Sequence, residues 1–167
     1  MKKQIKILDK RDIENKIRRL AWEIYENNDK EQEIVIVGIQ SRGFLIARLL
    51  SKHLLSISNI TITLASLKLN KESPNDNSVE LDIDISKCTD KVIVLCDDVL
   101  QSGKTLIYAT KYFLNTSLAR ISTVVLINRN HNTYPIKSDY VGLSLATTLQ
   151  QYVSVILEGS DQGVYLS

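Results

Sequence analysis

Two hydrophobic rhythms alternate along the chain. Ile13, Ile17, Leu20, Ala21 and Ile24 recur three and four residues apart, a single stripe on a helix that Asp9 or Asp12 can cap and that runs to about Tyr25. The run EIVIVGI, Glu33–Ile39, is continuously apolar and β-branched instead, as a strand covered on both faces requires. The same reading predicts a helix over 43–55, strands over 59–67 and 91–96, a helix from Gly103 (GKTLIYATKYFLN) and a strand over 121–128. Shorter strands are expected over 139–145 and 151–158. Residues 68–90 break both rhythms, being rich in Ser, Asn, Asp and Lys, and read as a long mobile excursion. Loops of that length inside a compact domain usually serve function.

Strands alternating with helices predict an α/β fold, a mainly parallel sheet with helices on both faces. Ligands of such sheets bind beyond the carboxyl ends of the strands. The turns after Ile39, Leu67, Cys96 and Asn128 therefore share one rim.

Composition narrows the class only a little. The 167 residues suit one domain over 1–167, and 44% hydrophobic with 24% charged residues is a globular balance. A net charge of +2 makes no case for nucleic acid by itself. Two cysteines, Cys88 and Cys96, are too few for a disulfide framework and indicate a reducing compartment. The first residues, MKKQIKILDKRDIENK, lack the apolar core of a signal peptide, and no apolar run reaches membrane-spanning length. The expectation is a soluble, cytoplasmic protein.

The chemistry concentrates in KVIVLCDDVLQSGKTLIYATKYF. Ser102-Gly103-Lys104-Thr105 resembles the tail of a triphosphate-binding loop, but the glycine that loop needs five residues before Gly103 is Asp98. A carboxylate there would repel a triphosphate. It suits a diol, or a magnesium ion shared with one. The helix that starts near Gly103 offers unpaired amides and a favourable dipole to a single phosphate. Asp97 and Asp98 beside that nest point to a ribose 5-phosphate unit. VGIQSRGFLIARLL repeats the layout of strand, polar turn, Gly43 and helix, with Arg42 as a fork-shaped anion donor. Its glycine spacing is not that of a dinucleotide fingerprint. Two anion sites flanking a diol binder suit a sugar phosphorylated at both ends.

At these residues the sequence resembles the type I phosphoribosyltransferases, whose signature is an apolar strand, two acidic residues and a loop ending in T-G-x-T. Here it reads VIVLCDDVLQSGKT, with Ser102 in place of Thr. Within that family it is similar, over most of its length, to the bifunctional pyrimidine-operon attenuation regulators with uracil phosphoribosyltransferase activity. VGIQSRG and NRNHNTYPIKSDYVG carry that similarity, together with the altered ending DQGV. The resemblance implies the family fold, with a small hood and a flexible loop, and the substrates 5-phosphoribosyl 1-pyrophosphate and a nucleobase. It implies that Asp97 and Asp98 hold the ribose hydroxyls, directly or through Mg2+. Gln101, Ser102, Gly103, Lys104 and Thr105 would hold the 5′-phosphate, and Gln40, Ser41, Arg42 and Gly43 the pyrophosphate. Asn128, Arg129, Asp139, Tyr140 and Val141 would line the base pocket, and residues 68–77 would close over it. A homodimer or higher homo-oligomer is implied as well.

The departures bear on the base. Gln101 stands where hypoxanthine–guanine enzymes usually carry an Asp facing the purine, which favours uracil over a purine. The Tyr-Arg pair that the uracil-type regulators carry after the second strand is absent, and Lys68 is the nearest substitute. Three readings stay open: a uracil enzyme, a nucleotide-sensing RNA-binding attenuator with weak catalysis, and a purine enzyme. For RNA, Arg18 and Arg19 on the first helix are the candidate phosphate contacts, with Tyr134 and Lys137 in a second stretch.

Overall fold

The computed structural model describes residues 4–70 and 79–167. Strand β1 (Ile5–Asp9) runs straight into helix α1 (Lys10–Glu26). Both candidate caps are used there. Asp9 accepts the Asp12 amide at 2.8 Å, and Asp12 accepts the Asp9 amide in return at 3.0 Å. The predicted stripe is the buried face of α1, with Leu20, Ala21 and Ile24 fully enclosed.

The main sheet has six strands in the order β4-β3-β2-β5-β6-β7. These are β2 (Glu33–Ile39), β3 (Thr61–Lys68), β4 (Glu80–Leu81), β5 (Val92–Leu100), β6 (Arg120–Asn128) and β7 (Tyr140–Ser144). All neighbours are parallel except β4, which pairs antiparallel with β3. Helix α2 (Gln40–Ile57) links β2 to β3, and α3 (Lys104–Phe113) links β5 to β6.

Alternation along the strands splits the core in two. Ile34, Ile36, Val92, Val94 and Cys96 face α1 and α2. Val35, Val37, Ile39, Ile93 and Leu95 face α3, packing with Leu106, Ala109 and Phe113. Each fully buried aliphatic side chain contributes about 1.5–3 kcal/mol, so both helical layers are held firmly. At the amino end of β2, Lys91 donates to Glu33 at 2.6 Å and holds that carboxyl below its ordinary range.

A second sheet of three antiparallel strands, β1-β9-β8, adds β8 (Val153–Ile156) and β9 (Gly163–Leu166). It is the small hood. Leu8, Val153, Val155 and Val164 join the core on the α1 and α2 side.

Two expectations change. Residues 79–90 are not featureless: they hold β4 and a 3-10 turn, Ile85–Cys88, capped by Asp84. Leu81, Ile83 and Ile85 pack against the α3-side core, and this sparse apolar set anchors a segment that reads as polar. Residues 71–78, the rest of the expected closing loop, lie outside the described residues. The strand predicted over 91–96 runs on to Leu100, so the acidic pair lies within β5 and not beyond its end.

Candidate active site

The acidic pair lies inside β5, between Cys96, which packs on the α1 and α2 side of the sheet, and Leu100, which packs on the α3 side. Asp97 and Asp98 are nearly enclosed, at 3% and 4% exposure. Burying two adjacent acids without pairing them would be costly. Arg42, in the first turn of α2, answers Asp98 with an Nε–Oδ2 contact of 2.7 Å. Asp97 accepts the Asp98 amide at 3.0 Å.

The carboxyl end of β5 opens into a cleft of about 260 Å³. It is lined by Arg42, Asp97 and Asp98, by Gln101 to Thr105, and by Tyr152 and Val153 at the start of the hood strand β8. Gly103 is the N-cap of α3 with φ +83°, a left-handed conformation suited to glycine. A side chain there would meet Ile136 at 2.6 Å. The carbonyl of Ser102 accepts the amides of Thr133 and Tyr134 at 2.9 and 3.0 Å, so the loop after β6 pins this turn from behind. Ile39 and Gly103, the N-caps of α2 and α3, have no polar side chain to offer their helices. The Lys104 amide donates to the Ser102 hydroxyl oxygen at 3.2 Å, and the other amides of the two first turns are suited to anions. α1, away from the cleft, has a complete capping box instead.

α2 begins at Gln40, three residues earlier than the pattern predicts. Gln40 turns the chain with φ +54°, and its side-chain amide donates to the carbonyl of Leu69. Gly43 lies hard against β5, where a Cβ would stand 2.5 Å from the Cys96 carbonyl oxygen. Burial pushes the Cys96 thiol well up, and the Asp97 charge adds to that, so this cysteine is an inert wall.

The other predicted residues divide. Ser41 and Lys68 are exposed on the rim, and Lys68 faces Glu80 at 4.0 Å. Asn128 ends β6 and donates to Asn130 at 2.9 Å. Arg129 is 2% exposed and is committed to the protein: it donates to Thr147, to the Thr148 carbonyl and to the Gln151 carbonyl at 3.1, 3.2 and 2.6 Å. It is a strut that carries the chain to Tyr152, not a wall of the cleft. Asp139 receives the Thr123 amide at 2.8 Å, and Tyr140 and Val141 pair with Val124 and Val125. That register sets them roughly 10–16 Å below Asn128 at ~3.3 Å per residue, toward the amino edge of the sheet. The base-pocket expectation for these three is corrected accordingly. The sequence reading missed Tyr152, an exposed aromatic that the hood turns into the cleft. Its only sequence signal was a large aromatic at the start of a short, weakly patterned strand.

The two candidate RNA contacts differ. Arg19 donates to the carbonyls of Val141 and Gly142 at 3.0 and 2.7 Å and pairs with Glu23, tying α1 to β7. Arg18 faces solvent with Glu14 at 3.6 Å.

A hooded, doubly wound sheet carries two buried carboxylates and two helix N-termini at its carboxyl edge, the layout of an α/β protein with one polar cleft. The phosphoribosyl transferase domain family matches residues 4–160, and the chain belongs to that family. It is 33% identical to the bifunctional protein PyrR of Oceanobacillus iheyensis, over 97% of this chain and 95% of that one. The PyrR of Fusobacterium nucleatum is 32% identical, over 93% and 92%. The fold is that of the type I phosphoribosyltransferases. The hypoxanthine phosphoribosyltransferase of Trypanosoma cruzi superposes with a TM-score of 0.78 at 15% identity, covering 96% of this chain and 94% of that one. A hypoxanthine-guanine phosphoribosyltransferase of Bacillus anthracis gives 0.74 at 20% identity, covering 89% and 84%. Among the described residues no helix is long and apolar enough to cross a membrane.

Proposed function

We propose that this chain transfers ribose 5-phosphate from 5-phosphoribosyl 1-pyrophosphate to uracil, giving UMP and pyrophosphate. The observation that carries the reading is one cleft holding Asp97, Asp98, Arg42 and the amino end of α3. The 5′-phosphate lies on the 101–105 turn, with the Ser102 and Thr105 hydroxyls as added donors. Asp97 and Asp98 accept the ribose hydroxyls. The pyrophosphate lies toward Ser41, Arg42 and Gly43, where the α2 amides and the guanidinium stabilise its growing charge. The bond from the anomeric carbon to the pyrophosphate oxygen breaks, a bond to the base nitrogen forms, and the nitrogen's proton leaves to solvent. The sugar is oxocarbenium-like midway, so the buried carboxylates also stabilise its positive charge.

Magnesium fits this site as an ion carried by the substrate. Among the described residues no group of three or more His, Cys, Asp or Glu could cage a metal. One or two carboxylates plus substrate phosphates is an ordinary magnesium arrangement. Asp97 and Asp98 would contact the ion, directly or through water, and bound magnesium would neutralise pyrophosphate charge. A cytoplasmic setting agrees with two free, buried thiols.

For the base, Gln101 offers a neutral amide that can both donate and accept, and Tyr152 an aromatic face. The test is a panel assay with phosphoribosyl pyrophosphate, magnesium and uracil, hypoxanthine or guanine, reading pyrophosphate release. We expect kcat/KM for uracil to exceed that for the purines by about tenfold or more. Preference for hypoxanthine would move the assignment to a purine enzyme, and silence with every base would remove the enzymatic reading. Tyr152→Ala is expected to raise the KM for the base about tenfold, the value of one stacked ring, with a smaller change in the KM for phosphoribosyl pyrophosphate.

A second, regulatory reading draws on the relatives, which are named bifunctional. Arg18 remains available for RNA phosphate, and exposed Trp22 lies one helical turn beyond it. Arg19 is occupied. A homo-oligomer would cover exposed apolar side chains such as Leu55, Leu114 and Leu149.

A further inference from the structure

The Arg42–Asp98 ion pair sets two ligand subsites against each other. Arg42 is the pyrophosphate donor of the proposed reaction and Asp98 a ribose acceptor, yet their side chains meet at 2.7 Å across the cleft wall. The Arg42 side chain is 46% exposed and free to swing, while that of Asp98 is 6% exposed and fixed in β5. With the Asp98 side chain only 6% exposed, a sugar hydroxyl that takes the guanidinium's place on the Oδ2 oxygen displaces it. If the ligand brings no second anion, Arg42 loses its partner and Asp98 exchanges a charged donor for a neutral one, which is the weaker bond. If the ligand carries pyrophosphate, Arg42 moves from one anion to another and the carboxylate is released at little cost.

We propose that this pair is a selectivity gate, which makes the ribose carboxylate accessible only when an anion occupies the pyrophosphate subsite. Arg42 thereby favours 1-pyrophosphorylated ribose over ribose 5-phosphate and other sugar monophosphates. The role rests on the phosphoribosyl reading above and adds to it a linkage between its subsites. Its sign is distinctive. Two bound anions repel, so Coulomb's law alone makes pyrophosphate weaken the binding of ribose 5-phosphate. The gate makes pyrophosphate strengthen it.

The experiment is calorimetric titration of the intact protein with ribose 5-phosphate, magnesium held constant, with and without saturating pyrophosphate. We expect pyrophosphate to tighten ribose 5-phosphate about threefold to fivefold, the value of one half-exposed ion pair. In Arg42→Gln this tightening should vanish, while ribose 5-phosphate alone binds at least as well as to the parent protein. Arg42→Lys, which keeps the charge, should retain part of the coupling. Binding with zero or negative coupling in the parent protein overturns the gate and leaves the phosphoribosyl site standing. Failure of ribose 5-phosphate to bind under either condition overturns the phosphoribosyl reading, and the gate with it.

Discussion

Asp98→Asn is expected to lower turnover about a hundredfold or more while leaving the fold intact. The exchange keeps the side chain's shape and removes one negative charge from a position 4% exposed to solvent. A fixed charge in such a site acts on a developing cation without screening by water, and losing one comparable electrostatic contact costs roughly 10²–10³ in rate. The fold has less at stake. Arg42 is half exposed and can turn to solvent. Removing a buried carboxylate also removes its desolvation penalty. The expected shift in Tm is therefore within about 3 °C, since surface-type ion pairs are worth roughly 1 kcal/mol or less. Steady-state assays with phosphoribosyl pyrophosphate and the preferred base, run beside a thermal melt, separate the two effects. Turnover above about half of the parent value would take Asp98 out of the site.

How much of this could be read from the chain depended on how local the cause was. Asp97, Asp98 and the turn through Thr105 are consecutive, and one strand and one helix place them all. The pattern of apolar residues in β2, β5 and β6 was equally direct, because strands buried on both faces leave continuous runs. The hood came only with the family resemblance, and two of its strands, β1 and β9, escaped the apolar pattern for the opposite reason. β1 and β9 are five and four residues long, and β1 buries only Leu8 of its five. Their pairing joins residues about 160 apart, as Ile5 with Leu166, and no local periodicity reports such a partner. Arg129 shows another limit. An arginine beside a rim reads as a ligand contact, yet three acceptors in 147–151 converge on it. Arg19 was misjudged likewise: its position on α1 looks solvated, but the carbonyls of β7 lie within reach. Asp139 to Val141 were placed by motif order, whereas the β6–β7 register decides their height in the sheet.

Gly43→Ala should damage catalysis far beyond its effect on stability. The added Cβ would lie 2.5 Å from the Cys96 carbonyl oxygen and 3.3 Å from the Asp97 Cα, both backbone atoms that cannot rotate away. The start of α2 must therefore lift from β5. Overpacking of this kind costs about 1–3 kcal/mol, and the better helix propensity of alanine offsets up to about 1 kcal/mol of that. A drop in Tm of roughly 2–6 °C follows for a chain of this size. The lift moves Arg42 and the α2 amides relative to Asp97 and Asp98, and displacement of reacting groups by about 1 Å costs on the order of a hundredfold. Gly159→Ala supplies the control. Its φ of +86° makes alanine strained, but nothing lies within 4 Å of the new Cβ and the position does not line the cleft. It should lower the Tm by a similar amount, about 1 kcal/mol of strain, with kcat/KM within about twofold of the parent. Equal activity losses in the two variants would mean that Gly43 acts through general stability. Loss confined to Gly43→Ala would show that its close approach to β5 sets the distance across the cleft.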